Sequence, residues 1–325
     1  MESKQLKWVL LTILSLIWGS SFILIKKGLI GLTPIQLGSL RIIFSALFLV
    51  LIGYKSVSVL TKSQWKYVAL TAVFGTFIPA YLFALAETEI DSSTTAILNS
   101  LTPLNTLVLG MLAFGIPFKR NQFIGICIGL LGSVLLVFNG ASNHPEQNYY
   151  YALLVIIASI CYATNVNLIK KYLPSVAPLS ITTGNFLTLL IPALVLLYCS
   201  GFFEIAAISE VQTAMGYIAI LGIVGTGIAN IIFFKLIQLS SPVFATSVTY
   251  LIPIVAFFWG LLDNEASKPK YLNTADKAEC YGADNAEVTA SAGVNSEGWV
   301  LRKVVGSRTQ FETLVAMSSG SMGAD

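Results

Sequence analysis

Long apolar runs separated by short polar stretches fill the chain from about residue 8 to residue 262. Nine of them reach spanning length, since roughly 18 to 20 apolar residues cross the hydrocarbon core as a helix. They are approximately Trp8–Ile25, Pro34–Gly53, Tyr67–Ala86, Ser93–Phe114, Phe123–Phe138, Tyr151–Ile169, Leu179–Cys199, Met215–Phe234 and Val243–Leu262. The pattern predicts an all-α integral membrane protein with nine transmembrane helices. Pro79, Pro103, Pro192 and Pro253 fall within spans, where neighbouring helices can satisfy the backbone groups a proline frees. Gly125, Gly129 and Gly132 share one side of the fifth span, a pattern that predicts close helix packing.

The pattern also repeats. Ser15, Leu24, Ile25, Lys26, Lys27, Leu29 and Pro34 recur 144 residues later as Ser159, Leu168, Ile169, Lys170, Lys171, Leu173 and Pro178. Gly75, Thr76, Ile78, Phe83, Leu101, Pro103 and Gly110 recur 150 residues later as Gly225, Thr226, Ile228, Phe233, Leu251, Pro253 and Gly260. Residues 1–140 form a first repeat of five helices, and residues 149–265 a second of four. A five-helix unit has an odd number of crossings, so its copy is expected to sit upside down, as an inverted repeat of the kind found in secondary transporters. The offset places a tenth helix at Tyr271–Val288, but that stretch carries Asp276, Lys277, Glu279, Asp284 and Glu287. At about 2.5–3.5 kcal/mol for each charge at mid-membrane, it cannot insert. Residues 266–325 are therefore expected to be a poorly ordered polar tail, left outside if nine helices insert.

Composition agrees: 55% of residues are hydrophobic and 11% charged, against about 25% charged in soluble domains. Placing the N-terminus in the cytoplasm puts ten Lys and Arg on inside segments and only Lys26 and Lys27 outside, which fixes that orientation in a plasma (inner) membrane. The first apolar run has no clear cleavage site and recurs internally, so it is read as a retained helix and not a signal peptide. No basic face suits nucleic acid. The sole histidine, His144, lies in a loop, with no metal-ligand cluster or nucleophile motif around it. The expectation is a non-enzyme with no cofactor and no metal.

Several stretches carry a resemblance: Ile17-Trp18-Gly19-Ser20-Ser21-Phe22 through Lys26, Pro34 with Arg41, Ala84-Leu85, Leu101-Thr102-Pro103, Gly125 to Gly132, Tyr250-Leu251-Ile252-Pro253, and Asp263-Asn264-Glu265. Over about residues 6–265 the chain resembles the ten-helix drug/metabolite transporter superfamily, in its EamA-like branch. The resemblance implies alternating-access permeation of small metabolites, often efflux, through a cavity between the halves, and contacts that can support a homodimer. Two departures stand out. Phe114-Gly115-Ile116-Pro117 lacks the glutamate usual after helix four, and the tenth helix is replaced. A second reading is therefore a truncated or chimeric protein of the same family, without transport activity.

Arg41 is the clear charge within a span and, by default, a functional candidate; a packing role at the helix contact is the alternative. Trp18, Tyr81, Asn99, Thr102, Tyr162, Asn165, Asn230 and Tyr250 add neutral polar and aromatic groups, the lining expected around a small, partly apolar solute. Interhelical hydrogen bonding is the competing reading for each Asn and Thr. Pro103 and Pro253 are candidate helix breaks for gating. No Asp or Glu lies deep in a span; Glu87, Asp263 and Glu265 fall at span ends and are expected at the outer rim. Proton coupling through a central acid thus has no candidate, which favours facilitated movement, exchange or coupling at the rim. The solute itself is not specified by the sequence.

Overall fold

The computed structural model describes residues 3–117, 120–128, 131, 149–262, 288–295 and 298–306. Two compact units divide the chain near residue 269. The first is entirely helical, and eight of its helices are long and apolar enough to cross a membrane among the described residues. They are α1 (Ser3–Gly28), α2 (Pro34–Gly53), α3 (Lys62–Ala86), α4 (Ser92 to Leu112), α6 (Ala152–Tyr172), α7 (Pro178–Cys199), α8 (Ser209–Leu239) and α9 (Pro242–Leu262). Residues 120–128 are helical and form α5; the rest of the expected fifth span lies outside the described residues. Among the described residues Gly125 meets no neighbour at its Cβ position, so the close packing expected there is not seen among them.

Local chemistry sets the helix starts. Thr33 and Thr61 each form a capping box, with Gln36 and Gln64 respectively, each worth about 0.5–2 kcal/mol. Asp91 accepts from the Thr94 amide at 2.6 Å, and Ser241 accepts from the Phe244 amide at 3.1 Å. These two caps stand 150 residues apart, on the same turn of the two copies.

Two pairs of irregularities also keep that offset. A wide π turn interrupts α3 at Val73–Phe77, and another interrupts α8 at Leu221–Ile228. α4 breaks after Asn99 and resumes at Thr102; α9 loosens into a 3-10 turn at Ser247–Tyr250 and resumes at Ile252. Each break falls just before a proline, Pro103 or Pro253, as the sequence predicts. Proline brings no N–H to the turn behind it and crowds the carbonyl there.

The repeats interlock. α1 packs against α8 and α9 of the second copy, while α6 packs against α3 and α4 of the first. α2 packs on α7 and on the π turn of α8. Individual contacts are reciprocal. Trp18 meets Phe233 with ring centroids 4.8 Å apart, and Tyr162 meets Phe83 at 5.8 Å. Lys26 Nζ donates to the Glu87 carbonyl at 3.0 Å; Lys170 Nζ donates to the Ile237 carbonyl at 3.2 Å and to Ser240 at 2.7 Å. Each lysine thus caps carbonyls at the C-terminal end of the third helix of its own copy, where a cation is favoured.

In the second unit, β1 (Val288–Asn295) and β2 (Gly298–Gly306) pair antiparallel, with Val294 opposite Trp299 and an irregularity at Ser291/Ala292. This hairpin lies within the polar stretch of residues 266–325.

Candidate functional site

Where α1, α3, α4, α6, α8 and α9 converge they surround a cavity of roughly 80 Å³. Its walls are aromatic: Trp18, Phe22, Phe83, Tyr162 and Phe233. Its polar groups are Ser21, Arg41, Thr76, Asn99, Thr102, Asn165, Thr226, Asn230, Thr246 and Thr249, with no carboxylate among the lining residues.

Arg41 reaches the cavity from α2. Its Nε donates to Thr226 Oγ1 at 2.7 Å, and that hydroxyl donates onward to the Leu221 carbonyl at 3.0 Å, across the π turn. The bond fixes the plane of the guanidinium. Its two terminal nitrogens have no hydrogen-bond partner among the described residues, which leaves a planar cationic fork at the cavity wall. Ser45 Oγ, one turn further along α2, accompanies this contact by donating to the Gly222 carbonyl at 2.7 Å. The repeat partner of Arg41, Asn185, lies elsewhere. In the orientation its neighbours require, its amide nitrogen lies 2.9–3.0 Å from Thr71 Oγ1 and the Val68 and Ile181 carbonyls, which share its two hydrogens, and it does not line the cavity.

Two glycines admit the cavity's side chains. A Cβ on Gly75 would sit 2.5 Å from the amide carbon of Asn165, and one on Gly225 would sit 2.7 Å from Ser21 Oγ. These contacts are repeat partners as well. Trp18 Nε1 donates to the Gly225 carbonyl at 3.0 Å, so the π turn of α8 finds a partner for one of its carbonyls.

Of the residues singled out by sequence, Trp18, Arg41, Asn99, Thr102, Tyr162, Asn165 and Asn230 come together around the cavity. Tyr81 and Tyr250 do not. Tyr81 lies against Gly38 and hydrogen-bonds Ser39 at 3.0 Å; the bare glycine of α2 draws its ring toward that helix. Tyr250 faces a separate recess with Pro103, Lys170 and Ser241. Pro103 lines that recess too, and Pro253 is buried beside the break in α9. Asp263 and Glu265 lie outside the described residues. Glu87 ends α3 as expected, but it is fully buried and not on an open rim. The turn after α3 folds inward because Lys26 holds the Glu87 carbonyl and Ser92 Oγ donates to Glu87 Oε2 at 3.3 Å. Lys26 is buried with it, so it is not the free loop charge counted in the orientation argument. Sequence reasoning missed Ser21, Phe22, Thr76, Phe83, Thr226, Phe233 and Thr246 as lining residues. The recurring Gly-Thr doublets at 75–76 and 225–226 carried the signal for two of them.

The EamA-like transporter family model matches residues 6–138 and 150–265, one segment per repeat. The chain is 27% identical over 260 residues to an uncharacterized inner membrane transporter of Escherichia coli K12, covering 76% of this chain and 79% of that protein. It is 25% identical over 193 residues to a probable amino-acid metabolite efflux pump of Salmonella typhimurium, covering 55% of this chain and 59% of that one. A solved crystal structure shares the fold with a TM-score of 0.61 at 15% identity, over 80% of this chain and 89% of its own. With the two matched segments falling on the two interlocked bundles that meet at the cavity, the chain belongs to the EamA-like transporter family, as a multi-pass membrane transporter.

Proposed function

We propose that the chain is a permease that exports a small metabolite or drug-like solute by alternating access between two inverted repeats, with the Arg41 cavity as its binding site. The observation that carries the reading is the Arg41 fork, facing a cavity lined by aromatic rings and by no acid. A cation inside the helix bundle with unused donors favours a solute that brings an oxygen acceptor or an anionic group. Small-molecule sites generally enclose roughly 300–1,000 Å³, so the cavity of roughly 80 Å³ is contracted and must widen to admit a solute. The α4 and α9 breaks are the places where that widening begins. Export as the direction draws support from the name of the Salmonella relative. The N-terminus is cytoplasmic in this reading, and the exposed apolar face of α9, with Ile254, Phe257, Phe258 and Leu262, meets lipid or a second copy of the chain.

The second reading, a chain of the same family without transport, is favoured by one observation: the second matched segment is shorter than the first by about one helix. Metabolite profiles of cells carrying the wild-type chain, the Arg41→Ala variant or an empty vector separate the two. Wild-type cells are expected to release a set of solutes that the variant retains. Three identical profiles would establish the second reading instead.

A further inference from the structure

The cavity lining holds a second threonine hydroxyl that repeats Thr226 without its donor. Thr226 Oγ1 is matched on both sides, accepting from Arg41 and donating to Leu221. Thr76 Oγ1, its repeat partner 150 residues earlier, is buried and bonded to nothing among the described residues. Beside it, Asn165 lies against Gly75 and has a buried Oδ1 that also lacks a partner. Both residues are at most 5% exposed, and both line the cavity. Asn185, which stands where a second arginine would, is committed to Thr71, Val68 and Ile181. The chain therefore supplies a donor to one half of its cavity and leaves two oxygens of the other half waiting for one.

Unmatched buried oxygens in a membrane interior are costly, and they persist where a ligand completes them. We propose that Thr76 and Asn165 form a half-site that accepts the –NH2 group of the transported solute, a primary amine or amide. In this half-site one hydrogen of the group goes to the amide oxygen of Asn165 and the other to the hydroxyl oxygen of Thr76. Gly75 is part of the arrangement, since any larger residue would displace the Asn165 amide. The solute class that fits bears an oxygen acceptor for Arg41 at one end and an –NH2 group at the other. A solute lacking the –NH2 leaves both oxygens unmatched, and sites built for a hydrogen bond reject such analogues strongly.

This inference rests on the permease reading, and the test separates the two. Extracellular metabolites are compared among cells carrying empty vector, the wild-type chain, Thr76→Val, Asn165→Leu and, as control, Thr213→Val on the exposed face of α8. Membrane levels and monodispersity are checked for each. Solutes released by wild-type cells are expected to carry –NH2. Their release is expected to fall about tenfold or more in Thr76→Val and Asn165→Leu and to be unchanged in Thr213→Val. If wild-type cells release nothing beyond the vector, the permease reading fails and takes the half-site with it. If the released solutes lack –NH2, or if folded Thr76→Val and Asn165→Leu release them at the wild-type level, the half-site alone is overturned. The chemistry of the solutes released by wild-type cells decides the point even where a variant fails to fold.

Discussion

Replacing Gly222 by alanine tests the contact that carries Arg41 into the cavity. A Cβ built on Gly222 would lie 2.9 Å from the Arg41 carbonyl oxygen, 2.9 Å from Phe44 Cβ and 3.4 Å from the Ser45 amide nitrogen. Two of these atoms belong to the backbone of α2, so no side-chain rotation relieves the clash and the two helices must separate. Overpacking of this kind costs about 1–3 kcal/mol. The separation also stretches the Ser45–Gly222 hydrogen bond of 2.7 Å, worth about 0.6 kcal/mol within a bilayer. Against this stands a gain of up to about 1 kcal/mol for alanine over glycine in a helix. The net loss is roughly 1–3 kcal/mol, which in a protein of this size lowers the melting midpoint by about 2–4 °C. Gly216 on the same helix supplies the control, because its Cβ would meet open space; Gly216→Ala should melt at or slightly above the wild-type midpoint. Both are measured on detergent-solubilised protein by the loss of the monodisperse peak after heating. If Gly222→Ala melts within about 1 °C of wild type, or Gly216→Ala loses as much, the close helix approach is not what holds α2 to α8.

Three further outcomes follow from single contacts. Arg41→Lys keeps a positive charge but loses the planar fork and its bond to Thr226; solute release should fall almost as far as in Arg41→Ala, and full release by the lysine variant would reduce Arg41 to a point charge. Trp18→Phe removes the donor to the Gly225 carbonyl while a ring remains for Phe233, so it should cost about 0.5–1.5 kcal/mol, whereas Trp18→Ala should cost about 3–5 kcal/mol, read from the same melting series. Asn185→Leu deletes an amide shared by Thr71, Val68 and Ile181 and should lower stability by about 1–2 kcal/mol; a midpoint at or above the wild-type value would show that this amide is dispensable.

Much of this architecture is legible in the chain. The offset that pairs Leu101 with Leu251 also pairs the two helix breaks. Seven polar or aromatic candidates converge on the cavity because intramembrane polarity is costly unless it faces a partner or a cavity. Other parts were hidden for physical reasons. Phe83 and Phe233 look like ordinary core in an apolar helix, and only their pairing with Tyr162 and Trp18 sets them at the wall. A π turn has no hydrophobic period to betray it. The burial of Glu87 depends on how a short turn folds, and the displacement of Tyr81 depends on a glycine one helix away; neither is encoded near the residue concerned.

Lys26 and Lys170 grip main-chain oxygens. A side-chain acceptor can be lost by one substitution, but a carbonyl is supplied by whichever residue stands there. The repeat partners Glu87 and Ile237 are an acid and an aliphatic, yet each offers its lysine the same oxygen. These clamps are therefore blind to sequence drift at the positions they hold, and the two copies can diverge in charge and size at those ends while keeping a common geometry.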